Sequence, residues 1–185
     1  MALRPAHSAI LLAAALALAC GMRDADDASL RTVHIADVRI DPETSTPLVE
    51  LVEDGERART LDIAVGEFEA ESIARAIDHQ PIVRPNPHDL LKSVLDQIHG
   101  HVRRSVVTEL RGATYYAVIE VELGGRVLSV DARPSDAIAV ALRANAPVLV
   151  RDSLFRAAGI PDDAHAREID WRTQNPRECA VGAPL

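Results

Sequence analysis

The sequence predicts an α+β fold, a mostly antiparallel sheet with packed helices. Three observations carry this reading. Alternating apolar segments come in two groups of three, each group is followed by a stretch of helical period, and turn-forming dipeptides separate strands within a group. Offsetting the chain against itself by 67 residues adds weight. Leu61 and Ile63 then fall on Leu128 and Val130, Glu69-Ala70 on Asp136-Ala137, and Ile73-Ala74 on Val140-Ala141. Two related halves, each three strands and a helix, explain the match; the apolar pattern shared by all strand-to-helix junctions also explains it.

The 185 residues have room for one ordinary domain with appendages. Residues 1–19 read as a signal peptide: Arg4 is the only formal charge, an apolar run covers residues 9–19, and Ala17-Leu18-Ala19 is a small-x-small cleavage pattern. The apolar run is too short to span a bilayer permanently. Cys20 follows at once, and Ala17-Leu18-Ala19-Cys20 resembles a bacterial lipobox. Lipidation of Cys20 is therefore expected, which makes the chain an exported lipoprotein anchored to a membrane of the cell envelope. Ordinary cleavage, leaving a soluble secreted or periplasmic protein, is the alternative. Residues 20–31 form a polar tether.

The domain is expected over residues 32–161. Residues 32–40 alternate through Val33, Ile35, Val38 and Ile40 with a slip in register, and residues 47–53 and 59–65 are two more strands around an Asp54-Gly55 turn. From Gly66 the period becomes helical. Phe68, Ile73, Ala74 and Ile77 share one face of a helix over residues 67–78. Three prolines between residues 80 and 87 mark a loop. A second helix over residues 88–99 points Leu91, Leu95 and Ile98 inward, and Gly100 stops it. Strands over 102–110, 114–123 and 126–131 follow, with Gly124-Gly125 as a hairpin turn between the last two. A helix over 135–144, a strand over 148–150 and a helix over 153–158 complete the domain. Residues 162–185 read as a polar tail with an isolated Trp171.

Composition narrows the functions. The formal net charge is −8 and aromatic residues are 3%, so neither a general attraction to polyanions nor an extended base-stacking surface is encoded. Any nucleic-acid chemistry must rely on local arginines or a bound cation. Two cysteines, Cys20 and Cys179, exclude both a disulfide scaffold and a cysteine-based metal site.

The motifs sit at the strand-to-helix junctions. They are Val65-Gly66-Glu67-Phe68-Glu69-Ala70-Glu71-Ser72-Ile73, Arg84-Pro85-Asn86-Pro87-His88-Asp89-Leu90-Leu91 and Asp131-Ala132-Arg133-Pro134-Ser135-Asp136-Ala137-Ile138-Ala139, with Thr114-Tyr115-Tyr116-Ala117 on a strand. In order and spacing these runs resemble the bifunctional nuclease domain family across residues 33–160. Pro87 stands where that family has Thr. The resemblance implies an α+β fold of two related halves and the degradation of DNA and RNA.

Phosphodiester hydrolysis needs an activated water, positive charge on the non-bridging oxygens, and help at the leaving oxygen. Glu69, His88, Asp89, Arg133 and Asp136 are the catalytic candidates. Arg133 suits a phosphate, and His88 suits proton transfer near neutrality. Glu69, Glu71, Asp131 and Asp136 are the oxygen donors expected for a divalent metal, Mg²⁺ or Mn²⁺. If the halves are related, Glu69 and Asp136 occupy matching first turns and can converge. An ordinary structural account stands beside each residue. Glu69 and Asp136 complement helix dipoles, Ser135 reads as a cap, Asn86-Pro87-His88-Asp89 reads as a capping box, and Asp131 can pair with Arg133. The expectation is a metal-assisted nuclease acting on nucleic acid. A non-catalytic, envelope-anchored binding or oligomerisation module, such as a homo-oligomer, is the alternative.

Overall fold

The computed structural model describes residues 29–56, 58–80, 83–158 and 169–170. The expected signal peptide, Cys20 and nearly all of the tether lie outside these residues, as do Trp171 and Cys179. The chain runs β1 (Leu30–Ile40), β2 (Pro47–Glu53), β3 (Thr60–Ala64), α1 (Glu67–Ile77), α2 (Pro87–Gln97), β4 (His101–Arg111), β5 (Thr114–Leu123), β6 (Arg126–Ala132), α3 (Pro134–Ala144), β7 (Val148–Arg151), α4 (Asp152–Ala158) and β8 (Ile169–Asp170). The fold is α+β, as the sequence predicts.

One sheet takes the order β3-β2-β1-β7-β4-β5-β6, with β8 added on β1. Two antiparallel meanders, β1-β2-β3 and β4-β5-β6, flank β7, which runs parallel to β4. Each meander leads into a helix, and the spacing repeats. Pro47 and Thr114 open the second strands 67 residues apart, and Glu67 and Pro134 open the helices at the same separation. The register slip expected in β1 is an irregularity between Ile35 and Asp37 in its pairing with β2. Gly124 and Gly125 both take positive φ, 58° and 73°, the backbone that a tight two-residue hairpin demands.

The main core joins both halves. Val38, Val49, Leu51, Leu61 and Ile73 pack with Val107, Ile138, Val150 and Phe155. A smaller cluster seats α3 on β5 through Ala137, Val140, Ala117, Ile119 and Val121.

Several expectations need correction. Ile73 and Ala74 are buried, but Phe68 is 84% exposed, because it lies in the first turn of α1 beyond the sheet-covered part of the helix. In α2 Leu91 and Ile98 are exposed and only Leu95 leans on the smaller cluster. The cap of α3 is Arg133, not Ser135; with Pro134 at the first helical position, Ser135 is already inside the helix and buried. Past Gln97, the left-handed residue is His99 (φ 57°) rather than Gly100. Finally, the tail contributes β8, whose Asp170 and Ile169 stand opposite Arg39 and Ile40.

Candidate active site

Helices α1 and α3 pack against each other, and α2 packs against α3. Their N-terminal turns meet at a cleft of about 1240 Å³. Glu69, Ser72, His88, Asp89, Arg133 and Asp136 all line it.

Arg133 is the hub. Its Nε–H donates to Asp136 Oδ2 at 2.8 Å, and Nη2 donates to Asp136 Oδ1 at 2.9 Å and to Glu69 Oε1 at 2.7 Å. Glu69 and Asp136 therefore do converge from matching first turns, but on a guanidinium. The two N–H groups on Nη1 have no acceptor among the described residues, and the side chain is 65% exposed. Arg133 lines the cleft, and these N–H groups are donors suited to an anion. Glu69 folds back so far that its Oε2 lies 2.3 Å from where a Cβ on Gly66 would stand, so glycine at this cap makes room for the carboxylate.

Behind the hub lies a buried relay. His88 Nε2 is 3.1 Å from Asp136 Oδ1, and His88 Nδ1 is 2.8 Å from Ser72 Oγ. Ser72 Oγ also accepts from Asn86 Nδ2 at 3.0 Å and from Arg143 Nη2 at 2.9 Å. A hydroxyl has two lone pairs and one proton. With both lone pairs taken, its proton goes to Nδ1. Asp136 reaches the same conclusion from the other side. Burial alone pushes its carboxyl up, but the hydrogen bonds from Arg133 and then His88 outweigh that and hold it below the usual aspartate range. An ionised carboxylate only accepts, so the proton lies on His88 Nε2. The imidazole is thus fixed as a donor to Asp136.

Asp89, on the same turn as His88, points elsewhere. Its Oδ2 accepts from the Asn86 backbone N–H at 2.8 Å, completing the capping box that the sequence predicts. Its Oδ1 accepts from Arg143 Nε, and both side chains are about nine-tenths buried. Asp89 thus lines the cleft with both carboxylate oxygens engaged in holding α2 in place.

The expected metal donors are not gathered. Glu71 is bound by Arg75 at 2.6 Å, and Arg133 lies between Glu69 and Asp136. Asp131 pairs with Val118, on the opposite face of β6 from the positions that pair with the α3-covered Ala117 and Ile119. It makes no ion pair with Arg133, which turns into the cleft instead. Among the described residues no three His, Cys, Asp or Glu side chains form a metal-binding group. This donor set does not fit a resident divalent cation without movement of Arg133.

Sequence reasoning missed Ser72 and Arg143. Helical spacing carried a trace of both: Ser72 lies three residues after Glu69 on α1, and Arg143 lies seven after Asp136 on α3, each on its partner's face.

Fold and site together define an α+β domain whose helix N-termini assemble an arginine-centred cleft. The bifunctional nuclease domain matches this chain over residues 49–163, and the chain belongs to that family. It is similar to an uncharacterised protein of Mycobacterium tuberculosis, 29% identical over 136 residues that cover 71% of this chain and 79% of that one. It is also similar to bifunctional nuclease 1 of Arabidopsis thaliana, 30% identical over 61% of this chain and 35% of that protein. Bifunctional nuclease 2 of Oryza sativa subsp. japonica is 31% identical over 77% of this chain and 45% of that protein. The chain thus spans less than half of either plant relative.

Proposed function

We propose that this chain hydrolyses phosphodiester bonds of DNA or RNA at the Arg133 cleft. The observation that carries the reading is the open Nη1 edge of Arg133, held by two carboxylates that line the cleft with it, in a chain of the bifunctional nuclease domain family. That edge binds a non-bridging phosphate oxygen and supports the charge that grows there in the transition state. Glu69 Oε2 has no hydrogen-bond partner among the described residues and takes a proton from the attacking water. The water oxygen forms the new P–O bond, the ester P–O bond breaks, and the leaving oxygen is protonated from solvent in the open cleft. His88 and Ser72 keep Asp136, and through it Arg133, in register. Arg84, without an ion-pair partner among the described residues, and the exposed ring of Phe68 line the same cleft and suit a flanking phosphate and base.

The test is cleavage of plasmid DNA and single-stranded RNA by purified protein with Mg²⁺, Mn²⁺ or chelator. Arg133→Ala and Asp136→Ala are each expected to lower the rate by roughly 10²-fold or more while leaving the fold intact. Metal assistance, expected from the acidic residues, requires Arg133 to swing off Glu69 and Asp136. Activity lost in chelator and restored by Mn²⁺ supports that route. A wild-type protein inactive in every arm overturns the proposal in favour of a non-catalytic binding module. The same proposal includes export and a lipid on Cys20, supported by the lipobox-like Ala17-Leu18-Ala19-Cys20. Mass spectrometry of the membrane-extracted protein tests it, and an unmodified Cys20 overturns it.

A further inference from the structure

The two edges of the sheet are treated differently. At one edge β3 is short, its Leu61 and Ile63 are buried, and α4 packs against it. At the other, β6 is a seven-residue edge strand with no further partner strand among the described residues, and Val127, Leu128 and Val130 are exposed. Natural edge strands are usually blunted by charge, proline or a cover, and β6 carries none of these between Val127 and Val130. Beside it, α2 has an amphipathic sequence yet buries no apolar side chain: Asp89 is its only buried residue. Leu90, Leu91, Val94 and Ile98 with the three β6 residues are each 41–58% exposed. Leu95 packs on the cluster containing Val121, and Val121 stands opposite Leu128, so the exposed α2 residues adjoin Leu128 and Val130, while Val127, opposite Glu122, lies on the other face. A continuous apolar surface of this kind marks an interaction site.

We infer that this surface joins two copies of the chain in a two-fold dimer, with β6 pairing antiparallel to β6 of the second copy. A two-fold axis normal to the sheet keeps each residue on its own face, so opposed residues must have the same parity. An axis through Ser129 sets Leu128 against Val130 of the second copy, and Val130 against its Leu128, both on the face that α3 covers. The same symmetry suits α2. Antiparallel packing about Val94 sets Leu90 against Ile98 and Lys92 against Asp96 of the second copy, apolar on apolar and cation on anion. A lipid surface is the poorer occupant. Among the described residues the stripe is bordered by only two cations, Lys92 and Arg126, with Asp96 beside the first, and the chain's net charge is −8. The dimer also explains how α2, which brings His88 to the cleft, is seated without burying an apolar residue of its own.

The test is sedimentation velocity of the purified protein over a concentration series. Wild type is expected to sediment as two chains, and Val94→Glu and Leu128→Glu as one. Both positions are exposed, so an unchanged circular dichroism spectrum accompanies the loss. Ser129→Cys should give a disulfide-linked dimer under mild oxidation. Val127→Cys, displaced from the axis, should not. A monomer at every concentration overturns the inference, as does a dimer indifferent to both glutamates. So does hydrogen-exchange protection of β6 and α2 in a monomer that disappears on deleting residues 163–185, since the chain's own tail would then be the cover.

Discussion

At the scale of single residues, the site is a problem in proton bookkeeping, and its solution depends on Ser72. That side chain sits inside α1, where its hydroxyl receives Asn86 and Arg143 and gives its proton to His88. Ser72→Ala removes the donor to Nδ1 and leaves Asn86 Nδ2 and Arg143 Nη2 short of an acceptor. The imidazole is then free to exchange tautomers and to swing from Asp136. Nitrogen-15 shifts of His88 should show a single Nε2–H tautomer in the wild type and a mixture in the variant, with nuclease activity reduced roughly tenfold, the scale of a lost positioning contact. An unchanged tautomer would remove the relay from the account. Asp136 supplies the pH dependence at this scale. Its folded pKa is depressed, so its contribution to stability is fully present above the ordinary aspartate value of about 3.9 and fades as pH falls through the lowered folded value. The stability gap between wild type and Asp136→Asn, measured by urea unfolding, should therefore be constant from pH 7 to 5 and close towards pH 2. A gap that widened on acidification would reverse the assignment. That these candidates come together was largely visible beforehand: Glu69, His88, Arg133 and Asp136 all reach one cleft. Their roles were not, because whether a carboxylate meets a metal or an arginine depends on where a guanidinium folds, which spacing does not encode.

At the scale of elements, α2 shows how function and structure can share one turn. His88 and Asp89 are adjacent, so on a helix they diverge, one into the cleft and one into the α2–α3 contact. The capping box over Asn86 and Asp89 was legible because it is written in four consecutive residues. Arg143 as partner to Asp89 was not, since the two are 54 residues apart and a cation in the last turn of α3 already has a local explanation in the helix dipole. The face of Leu91, Leu95 and Ile98 misled for a related reason, since only Leu95 is covered: periodicity reports that a face is apolar, not what covers it. Asp89→Ala is the variant that separates the two adjacent residues. It strips the buried Arg143 of its counter-charge, which typically costs about 3–5 kcal/mol, so urea unfolding should shift strongly. His88→Ala, by contrast, should cost stability far less and activity far more. An Asp89→Ala protein of wild-type stability would show that Arg143 finds another anion.

At the scale of the molecule, the repeated strand–strand–strand–helix order was readable, because each unit is local and its turns carry their own signals. The place of β7 was not. A four-residue strand inserted parallel to β4, between two antiparallel meanders, is fixed by contacts more than 40 residues apart in sequence, such as Ser105 with Val148. Within the polar tail, two residues extend the sheet. Asp170 and Ile169 stand opposite Arg39 and Ile40, and Arg39 is among the few buried charges, tied to Asp62 and Glu50. Among the described residues, removing residues 163–185 therefore takes away one short pairing and leaves every residue of the main core in place. Two residues of edge pairing are worth about 1 kcal/mol, the upper range of a surface change, so the thermal midpoint should fall by no more than roughly 2–4 °C. Activity should persist, since the described residues that line the cleft run from Phe68 to Asn145. A drop well beyond that range would mean that the tail shields Arg39 and its two carboxylates from water. In that case Arg39→Met, which removes the buried charge, should recover part of the stability in the truncated chain but not in the full one.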